Sequence, residues 1–252
     1  VNCPLNGLTG YRSHSKEQSQ ILESLKRDER FVEAGATVIR EHDESPPLFT
    51  LLSGWAFRYK TLPDARRQIL GVLLPGDLIG VQQHMDEASA HGVEALSALT
   101  LCRFERDALW RLHRDDAVLS FTVTWLVAAE ERLIDSQLLS VGRRSAQERM
   151  AALLVNLFIR ARRAGAQAVI APDSPESVEL PPNSISWPLT QQQIADLMGL
   201  SLVHTNKTLR RLQKGGFYEI KDRVLTLLDP RALQSIAQMD HDELPSRYRA
   251  FL

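Results

Sequence analysis

The stretch from Thr190 to Gly215, TQQQIADLMGLSLVHTNKTLRRLQKG, has the fewest ways to fold of any part of the chain. Ile194, Leu197 and Met198 form the apolar stripe of a first short helix. Gly199 ends it, because a chain that reverses there needs a residue tolerant of positive φ. Ser201 is placed to cap a second helix. On that helix Thr205, Thr208, Leu209 and Leu212 share one face. Val203, Asn206, Lys207, Arg210 and Lys214 share the other, with no acidic residue among them. Ala195 is small enough for the two helices to approach closely. The pattern is that of a helix-turn-helix, whose second helix enters the DNA major groove. The alternative, an ordinary helical hairpin on a core, loses ground to the rest of the chain.

The net charge of −1 hides an asymmetry. Glu17, Glu23, Asp28, Glu29, Glu33, Glu41, Asp43 and Glu44 crowd the early segment, whereas Arg143, Arg144, Arg149, Arg160, Arg162 and Arg163 precede the basic helix. A basic part joined to an acidic one suits a nucleic-acid binder with a separate sensing or assembly module. No apolar run is long enough to span a bilayer and no secretory leader opens the sequence, so no membrane partner is expected. Cys3 and Cys102 are too few for a disulfide framework, which points to a reducing cytoplasm.

Between these poles the texture changes twice. Ser15 to Glu29 reads as a helix capped by Ser15. From Phe31 to Phe104, runs such as TVIRE, LFTLLSG, WAFRYKTL and RQILGVLL alternate with Gly- and Pro-rich turns, and Leu96 to Phe104 adds a last strand. Such punctuation predicts an antiparallel sandwich or roll. Asp107 to His113 is a short helix, and a long one runs from Asp115 or Asp116 to about Leu139. Along it Leu119, Leu126 and Leu133 recur every seven residues, with Thr122, Ala129 and Ser136 three further on. That spacing suits a close parallel helix pair, hence a homodimer; the alternative is a helix packed only on its own roll. Phe121 and Trp125 lie off this seam and are expected on the roll. A break at Val141-Gly142 is read as the hinge, and Ser145 to Ala164 as a further helix. Ala171 to Pro188 holds five prolines and predicts a loop or edge hairpin. Phe217 to Ile220 and Val224 to Leu228 form a small wing, before a last helix from Asp229-Pro230.

The order of these parts, with Gly54 in LLSGWAFRY, Leu74-Pro75-Gly76-Asp77-Leu78-Ile79-Gly80, and the stretch from Thr190 through Leu212, resembles the CRP/FNR family of bacterial transcription regulators over nearly the whole chain. The resemblance implies an α+β architecture: an N-terminal cyclic-nucleotide-binding-like antiparallel β-roll (residues 1–113), a dimerisation helix (114–141) and a C-terminal winged helix-turn-helix (142–252). It also implies a homodimer on a pseudo-palindromic double-stranded DNA site, in contact with RNA polymerase. Thr190, Gln191, Ser201 and His204 would hold phosphates, and Val203, Asn206, Lys207 and Arg210 would choose bases.

Three departures qualify it. Family members that read TTGA- or TGTGA-type half-sites carry Glu-Thr/Ser-x-x-Arg in the second helix, where this chain has Val203-His204-Thr205-Asn206-Lys207. Val203 can pack on a thymine methyl but cannot accept from cytosine, and Lys207 lacks the arginine fork; Asn206 suits an adenine edge. Cyclic-AMP-binding members place a glutamate after the roll glycine and an Arg-Ser pair further on. Here Val81 follows Gly80, and Ala90-His91-Gly92-Val93 replaces the pair, which leaves no bidentate partner for a phosphate. Cluster-binding members use several N-terminal cysteines with one in the roll. Cys102 falls at the roll position and reads as a small buried hydrophobe, and Cys3 stands alone in its arm. The expectation is no metal and no cofactor, with the effector left open. His84 and His91 read as solvated loop residues, and no nucleophile elbow, phosphate loop or catalytic carboxylate pair points to an enzyme. A second reading keeps a ligand-binding signalling module whose DNA reader has become a protein-contact surface, motivated by the Leu202-Val203 front.

Overall fold

The computed structural model describes residues 15–81, 88–105, 107–165, 168–170 and 177–239. Two compact units divide between Asp135 and Ser136.

In the N-terminal unit, α1 (Lys16–Leu25) is started by a capping box. The Ser15 hydroxyl accepts from the Gln18 N–H, while Gln18 Oε1 accepts from the Ser15 N–H. The helix ends four residues before the expected Glu29, because Lys26–Val32 pairs as β1 with β8 (Leu99–Phe104). Sheet pairing overrides the helical propensity of the Lys-Arg-Asp-Glu run. Four-stranded sheets follow in the orders β1-β8-β3-β6 and β2-β7-β4-β5, every pair antiparallel. The strands are β2 (Thr37–Ile39), β3 (Leu48–Ser53), β4 (Ala56–Thr61), β5 (Arg67–Leu73), β6 (Leu78–Ile79) and β7 (Gly92–Ala95). Strands β6 and β7 were not expected; both are short and lie beside turn-rich sequence.

The core between the sheets gathers Ile39, Phe49, Leu51, Ala56, Leu73, Ile79, Val93, Ala95, Leu99 and Leu101. Gly54, at φ +87°, joins β3 to β4 where a Cβ would lie 2.2 Å from the Ala98 carbonyl oxygen, so no other residue fits. The Leu74–Gly80 turn is tied back to β3: Leu51 donates to the Asp77 carbonyl (3.0 Å) and accepts from Gly76 N–H (2.8 Å).

A second cluster joins Leu25 and Leu48 to Ala108 and Leu112 of α2 (Ala108–Asp115) and Leu119 of α3 (Ala117–Arg143). Leu119 is 1 % exposed, and with Thr122 and Leu126 it lines a small cavity against Leu22, Leu48 and Phe104. The seam read from sequence is corrected here: its first half turns toward the chain's own roll. The expected packing of Phe121 on the roll is also corrected, because its side chain is 70 % exposed. The exposed apolar residues of α3 include Val127, Ile134 and Val141, a second series of sevens, with Leu138 four residues after Ile134.

Helix α3 also runs through Gly142 to Arg143, so no break occurs at Val141-Gly142. The interruption falls at Arg144-Ser145, where Ser145 and Glu148 form a new capping box. In the C-terminal unit α4 (Ala146–Arg163) buries Met150, Leu154, Leu157 and Phe158. β9 (Ala168–Ile170) and β10 (Ser177–Glu179) pair antiparallel on either side of residues 171–176, the part of the proline-rich stretch that lies outside the described residues. β11 (Ser184–Ser186) joins the wing strands β12 (Tyr218–Lys221) and β13 (Val224–Leu227) in the order β11-β13-β12. Between them lie α5 (Gln191–Met198) and α6 (Leu202–Lys214), and α7 (Pro230–Ile236) follows.

Candidate nucleic-acid interface

Local signals build the reader. The Thr190 hydroxyl accepts from the Gln193 N–H at 3.2 Å and donates to Gln193 Oε1 at 3.0 Å, starting α5 in a capping box. Gly199 closes the helix at φ +64°, its N–H and that of Leu200 both reaching the Ala195 carbonyl. Ser201 Oγ then accepts from the His204 N–H at 3.3 Å to start α6.

The inner side of α6 is fixed by burial of Thr205, Thr208, Leu209 and Leu212. Behind it, Tyr218 of the wing donates its hydroxyl to the Leu209 carbonyl at 3.0 Å. Burial pushes that phenol's pKa up, so it stays a donor. Two long polar side chains hold the end of α5. Gln137, in the last turns of α3, donates Nε2 to the Leu197 carbonyl at 3.0 Å, and Arg149 donates to the Met198 carbonyl at 3.2 Å. These are carbonyls that a helix C-terminus leaves without intrahelical partners.

The outer side of α6 presents Val203, 79 % exposed, with Lys207, Arg210 and Lys214 at steps of four, three and four. These residues form one stripe along the helix, and Leu202–Lys214 contains no acidic residue. His204 and Arg211 flank it, both exposed. Leu202 is 40 % exposed at the leading end. Asn206 is half-buried, and its Oδ1 atom is buried without a hydrogen-bond partner. The paired contact to an adenine edge expected for Asn206 thus requires a rotamer that turns Oδ1 outward. Thr190, Gln191 and Ser201 are exposed at the starts of the two helices, where N–H groups favour phosphate oxygens. The Thr190 hydroxyl proton is committed to Gln193, so a phosphate there would meet Gln191 and the helix N-terminus first.

In the roll, the positions compared with a phosphate-holding Arg-Ser pair hold Ala90 and His91. His91 is 6 % exposed, correcting its reading as a solvated residue; burial, then the charges of Arg58 and Lys60, push its pKa down to about 4. It is a neutral ring at physiological pH and supplies no charge to a phosphate. Ser89, wholly buried, donates its hydroxyl to the His91 carbonyl at 2.6 Å. Cys102 is buried in β8, opposite Glu29 and Thr50. Among the described residues no group of three or more His, Cys, Asp and Glu could hold a metal ion. His84 and Cys3 lie outside the described residues. No described helix is long and apolar enough to cross a membrane.

An antiparallel roll followed by a winged helix-turn-helix is the build of a DNA-binding transcription regulator, and comparisons with known proteins support that role. The model of the cyclic nucleotide-binding domain matches residues 29–116, and that of the Crp-like helix-turn-helix domain matches residues 148–236. The transcriptional activatory protein AadR of Rhodopseudomonas palustris is 27 % identical over 237 residues, covering 94 % of this chain and 92 % of AadR. The nitrogen fixation regulation protein FixK of Bradyrhizobium diazoefficiens is 29 % identical over 204 residues, 81 % of this chain and 79 % of that one. The structure of FixK2 from Bradyrhizobium japonicum shares the fold at a TM-score of 0.69, with 22 % identity over 83 % of this chain and 96 % of that chain. Together these matches support a regulator of the CRP/FNR type, similar to that family along most of the chain.

Proposed function

We propose that the chain works in the cytoplasm as a homodimer, placing two α6 helices in successive major grooves of a pseudo-palindromic site and contacting RNA polymerase from there. The observation that carries this reading is the acid-free stripe Val203–Lys207–Arg210–Lys214, exposed on a helix whose other side is buried. Lys207 reads a guanine edge and Val203 packs on a thymine methyl. Gln191, Ser201, His204 and Arg210 set the register on phosphates, with Thr190 capping the helix that presents Gln191 and Asn206 a base contact once its amide turns out. The dimer seam runs along the exposed Val127–Ile134–Val141 ridge with Leu138; Leu119, Ala129, Leu133 and Ser136 lie off this ridge.

The residues of the roll do not fit a cyclic nucleotide. Val81 offers no hydrogen bond after Gly80, and the buried neutral His91 stands where a phosphate would need a cation. The signal is therefore of another kind, or the chain acts without one. Selection of bound duplexes from a random pool, with purified protein and no added ligand, tests the reading. A two-fold symmetric site is the expected product for a chain that acts without a signal, and a protein that retains no duplex even at low salt refutes the reading.

The exposure of Leu202 and Val203 favours a second reading, in which the front of α6 meets a protein. Salt separates the two. Binding to DNA weakens steeply as salt rises, through counterion release, whereas an apolar protein contact does not.

A further inference from the structure

One charged side chain stands on the core-facing side of β4. Arg58 lies two residues after Ala56 and directly opposite Val93 of β7, both wholly buried between the sheets. Neighbours across an antiparallel pair share a face, so Arg58 enters the roll from the same side. Arg58 is itself buried, and its guanidinium meets the carboxylate of Glu130 on α3. Removing two charges from water is costly, and their attraction does little more than offset that cost. Two apolar side chains of the same volume would hold the helix to the roll as firmly. What the ion pair adds is direction, because a guanidinium donates to a carboxylate only near its own plane.

Seven residues along α3, close to two turns and on the same side of the helix, stands Gln137, which holds the Leu197 carbonyl of α5. One ridge of one helix thus carries a residue gripped by the roll and a residue that grips the reader. We propose that Arg58 and Glu130 are the positioning pair that sets α3 for DNA reading, with Glu130 serving as a built-in anion, so that the arrangement needs no small-molecule effector. The proposal rests on the reading of α6 as a DNA-binding helix.

The test measures affinity for the selected duplex and for a random duplex by fluorescence anisotropy, with dimerisation and folding followed by light scattering and circular dichroism. Wild-type protein that binds DNA but prefers neither duplex overturns the effector-free arrangement, whereas one that binds neither duplex even at low salt refutes the DNA reading itself. Given a preference, Glu130→Gln and Arg58→Met each lose at least about tenfold in specific affinity, the scale of a coupling between sites, while random-duplex affinity holds. The reversed pair Arg58→Glu/Glu130→Arg recovers specific binding, and millimolar acetate, against matched chloride, recovers Glu130→Ala. Because a single break strands a buried charge, the double variant Arg58→Met/Glu130→Met decides cases of misfolding. Folded with the same loss, it supports the proposal. Folded and binding as the wild type does, it overturns it, and an unfolded double variant overturns it too by assigning the pair to the stability of the roll.

Discussion

Acidification should weaken this protein through His91. The ring is buried beside the positive charges of Arg58 and Lys60, and its pKa falls from 6.5 to about 4. The folded state thus favours the neutral ring, and its contribution to stability is complete above the unfolded pKa. As pH falls below 6.5 the unfolded chain takes up a proton that the folded chain refuses until about 4. The loss amounts to ~1.4 kcal/mol at about pH 5.5 and roughly 2.5 kcal/mol at about pH 4.5. Carboxylates titrate over the same range, so the informative quantity is the difference between wild type and His91→Gln, in which they cancel. Urea unfolding of both proteins from neutral pH to about pH 4.5 measures it, each curve extrapolated to zero denaturant. The wild type should lose stability faster than the variant by the stated amounts. A difference that stays flat with pH refutes the claim that burial keeps this ring neutral.

Other perturbations separate the parts of the interface. Lys207→Ala should relax the preference at one base pair of each half-site, costing about 1–3 kcal/mol there, whereas Arg210→Ala should weaken all duplexes alike; repeat selection and anisotropy distinguish them. Ile134→Lys should give a folded monomer in sedimentation, because Ile134 is exposed on the proposed seam, while Leu119→Lys should unfold the N-terminal unit, because Leu119 is buried within it. Thr190→Ala removes the cap of α5 and should lower stability by about 1 kcal/mol in denaturant titration, leaving the selected sequence unchanged.

The sequence exposes the reader almost completely, since its signals are local. A glycine in the turn, a serine before the second helix and apolar residues at helical spacing need no knowledge of distant neighbours. Other features depend on long-range partners. Lys26–Val32 becomes a strand because β8 lies beside it, and nothing in the charged run itself announces that pairing. On α3 two apolar series of sevens compete, Leu119–Leu126–Leu133 and Val127–Ile134–Val141, and only the position of the roll decides which turns inward. Arg58 is hidden for a related reason. Ala56, Phe57 and Arg58 are all buried, so β4 shows no alternation from which the inward side could be read. His91 follows a largely polar sequence, VQQHMDEASA, that gives no outward sign that its ring is enclosed.

The grip of Gln137 and Arg149 on the last carbonyls of α5 has a bearing on transplantation. A designer who wished to graft this reader onto a foreign sensor would naturally cut at Arg144-Ser145, where the helical backbone is interrupted. That cut would leave Gln137 behind and strip the Leu197 carbonyl of its donor, while Arg149 travelled with the graft. The transferable piece begins further upstream, at about Ser136, and carries the closing turns of α3 as part of its own architecture.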